Sequence, residues 1–205
     1  VKIDLGKQKC LYMGNINALR DWGHAEEYVE MQWRMLQQEK AKDYVIATGQ
    51  TYSVREFVDK SCKYLGYDIE FEGSDINEVG RIKNINNPKV SDNNLKIGDI
   101  IIRVDSKYFR PTEVDVLIGD PLKAKKDLKW TPKTSLNDLV EEMIESDLKN
   151  ALKEKGFIKI KNFSKNQNKV GYLYFLTPEG FAEKTKLTIN FMKRKMKEYD
   201  ELKSE

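Results

Sequence analysis

One histidine, two cysteines and a single Tyr-x-x-x-Lys spacing are the first places to look for chemistry in this chain. His24 sits beside Trp22 and Gly23 with no nucleophile motif near it, so a helix-start or packing role is expected for it. Cys10 and Cys62 form no Cys-x-x-Cys pair, and a zinc site needs several such ligands together. No metal site is expected. Tyr199 and Lys203 have the spacing by which a lysine lowers the pKa of a catalytic tyrosine, but they fall at the end of a charged helix and read as coincidence. No two glycines stand two apart, so G-x-G-x-x-G cannot be written, and no G-x-x-x-x-G-K-[ST] loop occurs. The chain therefore lacks the usual glycine cradle for a dinucleotide or triphosphate.

The elements that would position any site form a mixed α/β pattern. Ala25, Tyr28, Val29, Met35 and Leu36 recur at helical spacing and predict one apolar face. Asp43-Tyr44-Val45-Ile46-Ala47-Thr48-Gly49 predicts a short buried strand closed by glycine. Ser53 and Glu56 form a capping box, opening a helix that ends at Gly66. Ile69–Glu72 and Ile100–Val104 read as strands, and 83–96 as a polar surface loop. Asp120-Pro121 predicts a short helix ending before Trp130. Ser135 with Asp138 opens a longer helix carrying Leu136, Leu139, Val140, Met143, Ile144 and Leu148. Trp22, Trp33 and Trp130 are expected to pack.

The last part of the chain differs in charge. Of 36 basic and 33 acidic side chains, residues 149–205 hold 14 and 7, a net of +7 against −4 before them. Phe157–Lys161 and Gly171–Leu176 read as two strands around a polar basic tip. Thr177-Pro178 then starts a long helix, an N-cap followed by proline at its first position. Such a jump suggests two pieces, with boundaries at 1–148 and 149–205. No stretch is apolar enough to span a membrane, and the first residues hold no signal-peptide core. With two cysteines and no disulfide framework, a reducing, cytoplasmic setting is expected. The chain does not begin with Met, so a longer parent is expected upstream.

Two strings become specific when taken in order. One is Arg20-Asp21-Trp22-Gly23-His24-Ala25 followed by Tyr28-Val29. The other is Tyr108-Phe109-Arg110-Pro111-Thr112-Glu113-Val114-Asp115, then Gly119-Asp120-Pro121 and Lys123-Ala124. With Asp43–Gly49 and Ser53–Val58 between them, residues 1–148 resemble the C-terminal part of the GDP-mannose 4,6-dehydratases, extended short-chain dehydrogenase/reductases. The resemblance implies an α/β fold, here an α+β half-domain derived from that C-terminal part. It implies an enzyme, a carbon-oxygen lyase, in which bound NADP oxidises mannose C4, water leaves from C6, and the hydride returns there. It also implies that the NADP site and the catalytic residues lie in a Rossmann half with no counterpart here. No catalytic residue is carried over, no NADP is expected on this chain alone, and turnover would require a Rossmann-containing partner. What remains is the nucleotide-sugar side. By similarity, Arg20 and Arg110 look like diphosphate ligands, since a guanidinium fork donates two parallel hydrogen bonds to phosphate. Glu113 looks like the ribose ligand, since a carboxylate only accepts. Tyr12, Gly14 and Asn15 fall on the segment beside the nucleotide, with Asn15 counted among the GDP-binding residues. On residue types alone, a surface Arg–Glu pair and a structural turn at Arg20-Asp21 stand as the plainer alternative.

The tail has its own resemblance. Glu154–Phe163, Lys169–Gly180 and Phe191–Met196 look like the wing and C-terminal helix of an exopolysaccharide-associated MarR-type winged-helix regulator. That resemblance implies a basic β-hairpin and a long helix suited to dimer contacts. Lys159, Lys161, Lys165 and Lys169 are then candidate phosphate contacts to DNA, sequence-independent and salt-sensitive. A solvated basic hairpin with no DNA role is the alternative, since base readout needs a recognition helix and most of that is absent. The chain thus looks like two C-terminal fragments joined near 148–156, by natural fusion, by deletion or by deliberate joining. Three readings follow: a GDP-sugar-binding module, a nucleic-acid-binding module, and an interaction-only remnant. An apolar surface left uncovered predicts self-association or partial molten character.

Overall fold

A computed structural model describes residues 1–89, 95–162 and 172–203. It divides into two units, Val1–Ile144 and Glu145–Glu205. The division falls four residues before the expected one.

The first unit opens with β1 (Leu11–Met13), β2 (Leu19–Arg20) and α1 (Ala25–Leu36), followed by β3 (Tyr52–Ser53) and α2 (Val54–Leu65). Then come β4 (Tyr67–Glu72), a 3-10 turn (Asp75–Asn77), β5 (Val79–Ile85), β6 (Ile100–Val104), β7 (Val116–Leu117) and α3 (Leu122–Leu128). A longer helix, α4 (Leu136–Glu154), runs out of this unit into the next. Four strands form one sheet in the order β1-β6-β5-β4, with β1 parallel to β6 and the rest antiparallel. A second sheet has the order β3-β2-β7, in which β2 is antiparallel to β3 and parallel to β7.

Local chemistry explains the helix boundaries. At α2 the Ser53 hydroxyl accepts from Glu56 N, and the Glu56 carboxylate accepts from Ser53 N at 2.7 Å. Gly66 ends the helix in the left-handed region, φ 96°. At α1, His24 is the N-cap, its Nδ1 accepting from Glu26 N at 3.2 Å. At α3, Leu122 N donates to Asp120 Oδ1 at 2.9 Å. Its C-terminal carbonyls, Leu128 and Lys129, accept from the Arg34 guanidinium on α1. That bond fixes α1 against α3, with Met31, Ala124, Leu128 and Trp130 buried between them and Tyr28, Met35, Tyr44 and Ile46 packed around. Trp130 satisfies its indole N–H on the Glu27 carbonyl at 3.1 Å. Trp22 packs on Phe57, ring centroids 4.7 Å apart.

Three sequence expectations need correction. Residues Asp43–Gly49 belong to no strand, although their side chains alternate: Tyr44 and Ile46 turn to the core while Val45 is half exposed. Trp33 is 61 % exposed rather than packed. The cause is that α1 carries apolar residues on two faces: Tyr28, Met31 and Met35 point inward, Val29, Trp33 and Leu36 outward. The polar loop read from residue 83 begins later, because β5 continues to Ile85 and pairs there with Tyr67.

The second unit contains the end of α4, β8 (Ile158–Asn162), β9 (Tyr172–Leu176) and α5 (Pro178–Lys203). β8 and β9 pair antiparallel, Ile158 opposite Leu176 and Asn162 opposite Tyr172. Thr177 caps α5, its hydroxyl accepting from Gly180 N at 3.0 Å. Lys159 and Lys161 lie on β8, where only their backbone is described. Lys165 and Lys169 lie outside the described residues.

Candidate functional site

The site is assembled where β1 ends. Beyond Met13 the chain passes so close to the turn after β6 that a methyl on Gly14 would overlap the Tyr108 carbonyl oxygen. Only glycine permits this approach. Asp105 N donates to Met13 O at 2.9 Å and carries the parallel β1–β6 pairing one step further. Asn15 then grips the backbone of Arg110: its Nδ2 donates to Arg110 O at 2.9 Å and its Oδ1 accepts from Arg110 N at 2.8 Å. The chain turns at Pro111, and Glu113 N donates to Arg110 O at 3.2 Å, so the step from 110 to 113 is one tight bend.

Arg20 is brought to the same place by β2, held between β3 and β7. Its Nη2 donates to Glu113 Oε1 at 2.6 Å, and its Nη1 to Val114 O at 2.9 Å and to Leu19 O at 2.7 Å. Of the five donors of a guanidinium, two are left for another partner. The neighbouring Asp21 secures the strand from behind. Its carboxylate accepts from Thr48 N, Thr48 Oγ1 and Gly49 N at 2.6–2.9 Å.

All four residues proposed for the first unit, Asn15, Arg20, Arg110 and Glu113, line one open cleft of about 400 Å³. The Arg20 charge is offset by Glu113. The Arg110 guanidinium is exposed and, among the described residues, joins no ion pair or side-chain hydrogen bond. The cleft therefore presents one uncompensated cation beside a carboxylate with acceptor capacity to spare. That combination suits an anion joined to a hydroxyl-bearing group. Asn15 has both amide groups committed to Arg110, so it acts as a positioning residue for that arginine.

Two further groups went unassigned in the sequence. Tyr108 lines the cleft with half its surface exposed, and the signal for it was its place two residues before Arg110 in the same string. Arg55 pairs with the buried Glu78 at 2.6 Å, donates to Asn17 Oδ1 at 2.8 Å, and lies 4.3 Å from the Phe71 ring centroid. It ties the loop after Asn15 to the first sheet, and nothing in its local sequence marks it.

Other reactive groups lie apart from this cleft. Burial pushes the Cys62 thiol up to about 12, and raises that of Cys10 as well. Both favour the protonated, unreactive form. Among the described residues no group of three His, Cys, Asp or Glu could hold a metal. Among the described residues strand passes into helix at β2–α1, β3–α2, β7–α3 and β9–α5, and none of these passages carries two glycines at the spacing of a dinucleotide cradle.

The comparisons with known proteins bear mainly on the first part of the chain. The family model for GDP-mannose 4,6 dehydratase matches residues 1–143. The GDP-mannose 4,6-dehydratase of Vibrio cholerae serotype O1 is 53 % identical over 146 residues, covering 71 % of this chain and 39 % of that protein. The Homo sapiens GDP-mannose 4,6 dehydratase is 48 % identical over 147 residues, 72 % of this chain and 36 % of that one. The chain thus spans about two fifths of the length of these relatives. Among solved structures, UDP-glucose 4-epimerase from Bifidobacterium longum, in complex with NAD+ and UDP, is similar with a TM-score of 0.51 at 17 % identity. It covers 73 % of this chain and 38 % of that one. RMD from Pseudomonas aeruginosa, complexed with NADPH, gives 0.50 at 16 % identity, with 73 % and 39 % covered. At such identity these two speak for the α/β fold.

Proposed function

Because the chain belongs to the GDP-mannose 4,6-dehydratase family, we propose that it carries the nucleotide-sugar side of such an enzyme. The first unit holds the GDP part of a GDP-sugar, GDP-mannose or a close relative. Arg110 and the spare donors of Arg20 take the diphosphate. Glu113 accepts from the ribose hydroxyls, and Asn15 holds Arg110 in place. The family reaction, GDP-mannose to GDP-4-keto-6-deoxymannose, needs a hydride carrier, and no step through NADP is assigned to these residues. Their part is to bind and orient the substrate. The setting is cytoplasmic, in keeping with two free cysteines and no disulfide framework. Among the described residues no helix is long and apolar enough to cross a membrane.

The observation that carries this reading is the exposed Arg110 guanidinium, unpaired among the described residues and held beside the Arg20–Glu113 pair. Isothermal titration of the chain with GDP tests it. Binding is expected, weakened tenfold or more by Arg110→Ala, since a charged hydrogen bond contributes roughly 1.5–3 kcal/mol. Equal GDP affinity in the two proteins would overturn it.

The charge of the tail supports a second reading, a DNA-binding or dimerising module. In it, Lys159, Lys161, Lys165 and Lys169 of a MarR-like wing meet phosphates, in a chain derived by fusion from an exopolysaccharide regulator. DNA binding that falls steeply with salt is its expected signature. No binding at low salt would remove it.

A further inference from the structure

The helix α5 carries an uncovered apolar stripe bordered by lysines. Phe181, Thr185, Ile189, Met192 and Met196 recur at steps of four, four, three and four residues, which puts them on one side of the helix. Phe181, Ile189, Met192 and Met196 are 47–65 % exposed. Thr185 and Thr188, on the same side, return their hydroxyls to the helix: Oγ1 donates to Phe181 O at 3.0 Å and to Lys184 O at 2.9 Å. Their polar atoms are thus spent within the helix. Leu176, where β9 runs into α5, is also about half exposed. Charge is arranged around this stripe. With 3.6 residues to the turn, Lys184 falls on one border of it and Lys186 and Lys193 on the other, all three exposed. From 184 to 197 the sequence holds six basic residues and no acidic one.

We propose that α5 lies on the surface of an anionic lipid bilayer, with the stripe set at the boundary of headgroups and acyl chains and the bordering lysines on lipid phosphates. The proposal concerns the second unit alone and does not rest on the GDP-sugar reading. Three observations favour this occupant. Nucleic acid would meet the lysines but leave Phe181, Ile189, Met192 and Met196 in water. A second copy would cover the stripe, yet in either orientation it would set lysine border against lysine border, which costs stability. The basic residues are also spread over the whole unit, 14 of them across 149–205. That spread fits an extended negative surface better than the groove of one acidic protein. The long lysine stems can lie along the apolar boundary while their ammonium groups stay among the headgroups.

Co-sedimentation of the full 205-residue chain with vesicles tests the proposal. One set is phosphatidylcholine alone, and the other contains about one third phosphatidylglycerol. Binding to the anionic set is expected to be tighter by roughly tenfold or more. Met192→Asp, at an exposed position, is expected to weaken it by roughly tenfold or more. Lys184→Glu combined with Lys193→Glu is expected to do the same through the other half of the interaction. No binding to either set would overturn the proposal, and so would equal binding to both. Anionic binding that Met192→Asp leaves unchanged also overturns it, because charge alone would then suffice, as it does for a nucleic acid. Sedimentation velocity reads the remaining alternative: a dimer that Met192→Asp returns to monomer, without vesicle binding, would show that a second copy covers the stripe.

Discussion

Arg110 is fixed through its backbone, not its side chain. Asn15 bonds both its N–H and its C=O, which leaves the guanidinium free for a ligand. Removing that grip is therefore expected to loosen the arginine without unfolding the unit. Asn15→Ala should weaken GDP binding by roughly threefold to tenfold, the equivalent of about one lost hydrogen bond, and titration calorimetry reads it. An unchanged affinity would mean that the bend at Pro111 holds Arg110 unaided. Cys62 makes a second residue-scale prediction. Its thiol is raised by burial to about 12 from an ordinary 9.0. As pH rises past 9.0 the unfolded chain loses a proton that the folded chain keeps, so stability falls between 9.0 and about 12. Urea melts of the wild type and Cys62→Ser across that range check the sign: the decline should be shallower in the variant.

Elements differed in how far their sequence announced them. The helix α2 was legible at both ends because its signals are local: Ser53 and Glu56 close the capping box and Gly66 takes the positive φ. Ser53→Ala is expected to cost about 1 kcal/mol, read as a shift in urea midpoint at neutral pH. The Ser53 backbone N–H and hydroxyl also hold the Glu56 carboxyl below its usual range. A depressed carboxyl stabilises the fold above its unfolded pKa and ceases to as pH falls through the folded one. The cost of Ser53→Ala should therefore shrink in acid. Elsewhere the signal was ambiguous or distant. On α1, Val29, Trp33 and Leu36 were grouped with the core because apolar residues at helical spacing occur on both its faces. The strands β1, β2, β3 and β7 are two or three residues long, too short for any periodicity. Yet β2 is what places Arg20. The candidates Arg20, Arg110 and Glu113 come from the RDWGHA and FRPTEVD strings and Asn15 from the segment after β1, none of them from these strands, and Arg55 carries no local signal because its partners Asn17, Phe71 and Glu78 are scattered along the chain.

At the scale of the whole molecule, the division at Ile144 separates the cleft from the basic tail. All four cleft residues lie in the first unit. A chain shortened to end at Gly156, which leaves α4 entire, should keep its GDP affinity within about twofold, as expected for independent units. A larger loss would show that the tail reaches the nucleotide. The first unit itself depends on the cluster around Met31. Met31→Ala should cost roughly 2–5 kcal/mol, the range for large-to-small changes in a filled core, and a thermal melt measures it. The amide grip on Arg110 has one more consequence. Since the scaffold holds position 110 by main-chain atoms alone, its side chain is an interchangeable tool in a fixed socket. Selectivity for other headgroups could be engineered there by single exchange, with no repair of the surrounding architecture.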